Sequence, residues 1–230
     1  MLAAQDFTAI WLSLQLALYA TLILLIIGTP LAWWLANTRT RCKPFLEAAI
    51  ALPLVLPPTV LGFYLLLAFA PDSPFGQFWL ATTGQALAFS FSALVIGSVL
   101  YSLPFVVQPL QASFEQLPHH LLEAASTLGA NKKDRFVSIV LPLTKRSFLA
   151  AASLGFAHTL GEFGIVLMIG GNIPGKTQVL SIALFNHVES FQFQQAHYLA
   201  AGLMIFSFVL LAAIYRLNRP LFFATARSQQ

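Results

Sequence analysis

The fold class this chain predicts is an all-α polytopic membrane protein, and three observations carry it. Of 230 residues, 58% are hydrophobic and 9% charged, with 21 Phe, a composition suited to lipid on many sides. Apolar runs near the roughly 20 residues a helix needs to cross the hydrocarbon recur along the chain. The basic residues fall into the polar stretches on alternate sides of those runs.

Five spans are predicted, at Ile10 to Ala36, Phe45 to Ala70, Ala86 to Leu110, Ser147 to Ile169 and Tyr198 to Leu217. They form one transmembrane domain over residues 1–230, interrupted by a polar, basic loop at about 113–146. With the N-terminus outside, Arg39, Arg41, Lys43, Lys132, Lys133, Arg135, Lys145, Arg146, Arg216, Arg219 and Arg227 all fall inside. Only Lys176 is then outside, and the opposite orientation reverses the ratio. The expected location is therefore the inner (plasma) membrane, multi-pass, with a cytoplasmic C-terminus and lipid all round. A pI near 9.5 follows from this topology and implies no nucleic-acid partner, since the charge is spread over three loops.

The first span is expected to be uncleaved, because Met1 to Ala9 has no basic residue and carries Asp6, unlike a signal peptide. Cys42 has no second cysteine to pair with. In the second span Pro53, Pro57 and Pro58 each remove a backbone hydrogen bond, which predicts a kink packed on neighbouring helices, a pore-lining element, or both. The Thr59 hydroxyl can bond back to the opened turn. Pro71 to Gln85 reads as a short periplasmic connector anchored at the interface by Trp79. The third span carries Pro104 and Pro109 near its cytoplasmic end, where motion or a plain structural kink are both open.

The cytoplasmic loop Glu123 to Pro142 reads as two short helices hinged at a glycine. The first opens near Pro118 and closes at Gly129, which tolerates the left-handed conformation past a helix end. Asn131 then caps the second, Asp134 answers its dipole, and Pro142 is expected to stop it. Leu121, Leu122, Ala125 and Leu128 share one face opposite Glu123, and Phe136, Val137, Val140 and Leu141 share another. So much apolar surface beside so much charge suits docking on another protein, the alternative being an interfacial loop on lipid headgroups.

The fourth span holds a carboxylate at depth, in His158-Thr-Leu-Gly161-Glu162-Phe-Gly164. Such a group faces the bundle interior and marks function or packing. His158 and Glu162 are four residues apart and can share a helix face, while Gly155, Gly161 and Gly164 allow close helix approach. Gly170 to Thr177 is a turn-rich outer loop, and the segment up to His197 is read as a re-entrant turn or short helix. Its Gly-Lys-Thr, read as lacking the spaced first glycine of a phosphate-binding loop, lies outside by topology and is not expected to hold ATP. Zincin, Cys/His and serine-hydrolase spacings do not occur, so an intramembrane enzyme has little support.

Glu123, Ala124, Ala125, Gly129, Ile139, Leu141 and Pro142 match, position for position, the EAA-x3-G-x9-I-x-LP loop of ABC importer permeases. The resemblance implies a type I importer fold and a loop of coupling helices seated on a cytoplasmic ATPase subunit, with Glu123 and Gly129 central. Pro53 to Pro58, the Leu-Gly-Glu-Phe-Gly ending at Gly164, and Asn172-Ile-Pro-Gly175 are similar to molybdate permeases, with sulfate and tungstate permeases as alternatives. It further implies a homodimer with its pore at the two-fold interface, two ATPase subunits and a periplasmic oxyanion-binding protein. No cofactor is expected on this chain itself, ATP being used by the partner subunit, and no appended regulatory domain is expected. Pathway or gate candidates are Pro53, Pro57, Pro58, Thr59, His158 and Glu162. Glu162 would repel an anion, which points to packing or gating for it. A proton-coupled secondary transporter relaying through Glu162 and His158 is the alternative of another class, but it has no need of the coupling loop.

Overall fold

The computed structural model describes residues 3–218, and every regular element among them is helical. Arg219 and Arg227, used above to orient the chain, lie outside the described residues. The elements are α1 (Ala4–Asn37), α2 (Lys43–Val55), α3 (Pro58–Phe69), α4 (Pro74–Thr83), α5 (Phe91–Glu115), α6 (His119–Thr127) and α7 (Lys132–Arg135). A π-helical turn (Phe136–Val140) joins α7 to α8 (Leu141–Leu160), followed by α9 (Gly164–Gly170), α10 (Leu180–Glu189) and α11 (Phe193–Asn218).

Among the described residues four helices are long and apolar enough to cross a membrane, and α2 with α3 make a fifth crossing if taken as one bent span. The bend between α2 and α3 is 110°, a break and not the kink the prolines predict. Its cause is local: a residue before proline is driven to extended backbone, and both Leu56 (ψ 137°) and Pro57 (ψ 134°) precede one. Pro53, by contrast, stays inside α2. The two halves run along α5 in order. Lys43 and Glu47 reach Glu115 and Gln111 at one end of it, whereas Leu65 lies against Gly97 nearer the other.

The core has three parts. Around α1, α5 and α8 the side chains of Ala20, Leu24, Val106, Val107, Leu110 and Ala151 are fully enclosed. A second cluster joins α3, α5 and α9 through Leu94, Ile165 and Ile169. The helices come close because small residues leave room: a Cβ on Gly62 would lie 2.8 Å from Met168, on Gly155 2.8 Å from Val106, and on Gly164 2.7 Å from Pro58. Gly161, expected to do the same, instead caps α8 and meets only its own helix. A smaller third cluster pins α10 between α1 and α11 through Ala9, Leu180, Ala183 and Leu199.

Three predicted elements differ. The connector after the second span contains α4, whose signals were present: Ser73 accepts from Gly76 N–H at 2.8 Å, Pro74 opens the helix, and Gly84 closes it with φ +72°. The third span runs on through Pro104 and Pro109 to Glu115. The fourth is not one helix over Ser147 to Ile169. It begins in the loop at Lys132, runs to Leu160, breaks at Gly161 to Phe163 and resumes as α9.

Candidate functional site

Two regions assemble the residues that the sequence singles out. In the polar, basic loop at about 113–146, α6 ends in a Schellman motif. Gly129 takes φ +85°, Ala130 N–H donates to Ala125 O at 3.0 Å, and Gly129 N–H donates to Ser126 O at 3.1 Å. The third letter of the EAA triplet thus supplies the carbonyl that the post-glycine turn needs, which fixes the spacing between Ala125 and Gly129. Asn131 Oδ1 then accepts from Asp134 N–H at 2.9 Å and caps α7.

Pro142 does not stop the helix. The π turn passes Leu141 N–H to Phe136 O, five residues back. That widened turn admits Pro142 in the opening turn of α8, where its missing N–H leaves no bond unmade. The expected apolar faces also divide. Val140 is buried and Phe136 half-buried, but Val137 is 60% exposed and Leu141 is exposed beside it. On α6, Leu122 and Ala125 turn inward while Leu128 is 88% exposed. Glu123, Ala124 and Gly129 are exposed, and Ile139 is half-buried. Leu128 and Val137 are therefore apolar side chains that the described residues do not cover, in the same loop as the exposed Glu123.

The second region is a cavity of about 580 Å³ between α3, α5 and the α8–α9 break, lined by Pro58, Thr59, Tyr101, His158, Glu162 and Gly164 among others. Four of the six gate candidates thus meet here. Pro53 and Pro57 do not line it: Pro53 lies within α2, and Pro57 at the bend between α2 and α3. Thr59 is in the first turn of α3, and the residue four earlier, Val55, ends a different helix, so the expected back-bond has no turn to close.

His158 and Glu162 do not pair. The helix ends at Leu160, so their four-residue spacing no longer puts them on one face. Each goes to its own serine on α5. Ser98 donates to Glu162 Oε2 at 3.1 Å, and Ser102 Oγ lies 2.9 Å from His158 Nδ1 and 3.0 Å from the Thr159 hydroxyl. The His158 ring stacks on Phe105 at 4.0 Å and 27°. Glu162 is 5% exposed, its Oε1 is buried without a hydrogen-bond partner among the described residues, and its backbone carbonyl accepts from the Ser181 hydroxyl at 2.5 Å. Reasoning from the sequence passed over Ser98 and Ser102, although two hydroxyls four apart in an apolar helix do share a face.

By spacing alone, Gly170 and Gly175-Lys176-Thr177 spell G-x4-G-K-T, the letters of a phosphate-binding loop. The context is wrong for one, which lies between a strand and a helix. Here the loop follows α9, and Thr177 is fully buried with its hydroxyl donating to Gly170 O at 2.6 Å. Among the described residues no three His, Cys, Asp or Glu side chains converge as metal ligands do.

Comparison with known proteins adds a family. Residues 28–221 match the one described as binding-protein-dependent transport system inner membrane component. The chain is 54% identical over 218 residues to the molybdenum transport system permease protein ModB of Azotobacter vinelandii, covering 95% of this chain and 96% of that one. It is 35% identical to a putative molybdenum transport system permease protein of Bacillus subtilis, covering 91% and 92%. To the sulfate transport system permease protein CysT of Escherichia coli it is 33% identical, covering 84% and 69%. Among solved structures, a bacterial ABC transporter involved in alginate import has a TM-score of 0.71 at 14% identity, covering 94% of this chain and 78% of that one. The MetNI methionine ABC transporter has 0.68 at 16%, covering 91% and 92%.

Proposed function

This chain belongs to the binding-protein-dependent transport system inner membrane components, and we propose that it is the subunit through which molybdate enters the cytoplasm. It is a permease and not an enzyme. The observation that carries the substrate is the 54% identity to a molybdenum permease along nearly the whole of both chains; the sulfate permeases are more distant and exceed this chain in length. ATP is used by a separate ATPase subunit, and the exposed Glu123, Leu128 and Val137 around the Gly129 hinge are the surface that meets it. Ala124, Ala125, Ile139, Leu141 and Pro142 hold that surface in shape through the Schellman turn and the π turn.

Two copies of the chain enclose the pathway, with a periplasmic binding protein delivering the anion from outside and lipid covering the apolar flank of α11. The N-terminus is outside. The cavity at Glu162 supports a wall or gate and not an anion ligand, because an ionised carboxylate beside an anion is repulsive. Pro57 and Pro58 set the bend that brings Thr59 to that wall.

The test is uptake of labelled molybdate by vesicles holding the permease, its ATPase subunit and the binding protein. ATP-dependent uptake that excess tungstate slows more than sulfate is expected. Uptake of sulfate in preference to molybdate would overturn the substrate, and uptake driven by a proton gradient without ATP would overturn the mechanism.

A further inference from the structure

A second cavity, of about 380 Å³, lies at the foot of α1 against the cytoplasmic loop, and no step of transport described above uses it. Its lining is Trp33 and Asn37 from the last turns of α1, Leu122 from α6, Lys132 and Arg135 from α7, and Phe136 with Val140 from the π turn. Two cations and no carboxylate line it, and neither Lys132 nor Arg135 forms an ion pair among the described residues. Among the described residues Arg135 Nη1 reaches only the Leu122 carbonyl at 3.5 Å, and Arg135 Nε is buried with no hydrogen-bond partner. A buried guanidinium donor left unmade is costly, and an anion is the ligand that satisfies it.

The walls narrow the anion further. Trp33 stands edge-on to Phe114 (5.2 Å) and Phe136 (6.0 Å), one turn before α1 ends, where an indole marks the membrane boundary. Leu122, Phe136 and Val140 make the rest of that lining apolar. The cavity has room for roughly a dozen water-sized groups, more than a bare tetrahedral oxyanion fills. An amphipathic ligand matches both halves. We propose that this cavity binds the phosphodiester of an anionic phospholipid of the inner leaflet, with Lys132, Arg135 and Asn37 on the phosphate and Trp33 beside the glycerol. Basic pockets between membrane helices on the cytoplasmic side take such headgroups. Because its walls come from both α1 and the coupling loop, a bound lipid ties the loop to the bundle.

The test uses the permease together with its ATPase subunit, in nanodiscs of phosphatidylcholine with an increasing fraction of phosphatidylglycerol, reading retained phosphatidylglycerol by native mass spectrometry and ATPase rate in parallel. Lys132→Gln with Arg135→Gln is expected to weaken phosphatidylglycerol retention about thirtyfold, and the exposed Lys132→Gln alone about fivefold. Lys133→Gln removes the same charge from outside the cavity and is expected to leave retention unchanged. Equal loss in Lys133→Gln would reduce the effect to general attraction and overturn the site. Competition by inorganic phosphate as strong as by phosphatidylglycerol would overturn the lipid, as would retention that ignores Lys132 and Arg135.

Discussion

Ser98 on α5 and Glu162 in the break between α8 and α9 are joined by a 3.1 Å hydrogen bond in which the buried hydroxyl donates to Oε2. It is the only hydrogen bond that the carboxylate makes among the described residues. Glu162→Gln keeps an acceptor there and is expected to fold normally and retain most transport. Glu162→Leu and Ser98→Ala each leave one buried polar group unpartnered and are expected to destabilise by about 1–3 kcal/mol. Thermal unfolding in detergent, beside vesicle uptake, checks this; wild-type behaviour of both variants would leave Glu162 without a supporting role.

Gly129 is the second test. Its φ of +85° carries the loop, and a Cβ there would meet nothing within 4 Å. The effect of substitution is therefore backbone strain and not crowding. Gly129→Asn tolerates left-handed geometry and is expected to keep coupling, Gly129→Ala to cost about 1 kcal/mol, and Gly129→Val to cost more. ATPase stimulation by the reconstituted permease should fall in that order while membrane insertion persists. Full activity of Gly129→Val would refute the hinge.

The third test concerns pH. His187 on α10 lies 2.8 Å from Asp6 Oδ1 on α1 and 2.7 Å from Gln192 Oε1. The hydrogen bond to Asp6 raises its pKa above the ordinary histidine value, against partial desolvation. A raised folded pKa means that the folded protein holds the proton longer, so the added stability is complete below about pH 6.5 and is lost as pH rises through the folded value. His187→Gln is expected to lower stability by about 1 kcal/mol at acidic pH and by less at alkaline pH. Unfolding midpoints of both proteins across that range test it, a pH-independent difference being the contrary result.

Topology is open to a direct reading. Reporter fusions after Gln230 are expected to report cytoplasm, and fusions at Lys176 the outside, from the asymmetry of Lys and Arg. A periplasmic signal after Gln230 would show that a crossing was miscounted, with the segment from Gly171 to His197 the first place to look.

Local chemistry made several features legible in the sequence. Gly129 and Asn131 announce the loop hinge and cap because backbone sterics and capping act within four residues. The same holds for composition, which demands apolar spans, and for the Ser73, Pro74 and Gly84 signals of α4, which the sequence carried unread. Paired prolines made a disruption near Pro57 visible, though not its 110° size, since steric rules bar the helix without fixing how α2 and α3 pack on α5.

What only the tertiary structure decided lies where two helices meet. The i,i+4 rule made partners of His158 and Glu162, yet α8 ends between them and each finds a serine on α5 instead. Pro142 by itself forbids a helix interior, and the π turn before it turns a stop into a start. Leu128 and Val137 have the pattern of buried residues, but no helix among the described residues covers them. In each case the amino acids set which bonds must be satisfied, and the neighbouring helix determined with what, because a hydrogen bond or an apolar contact is indifferent to sequence distance and depends only on what packing brings within reach.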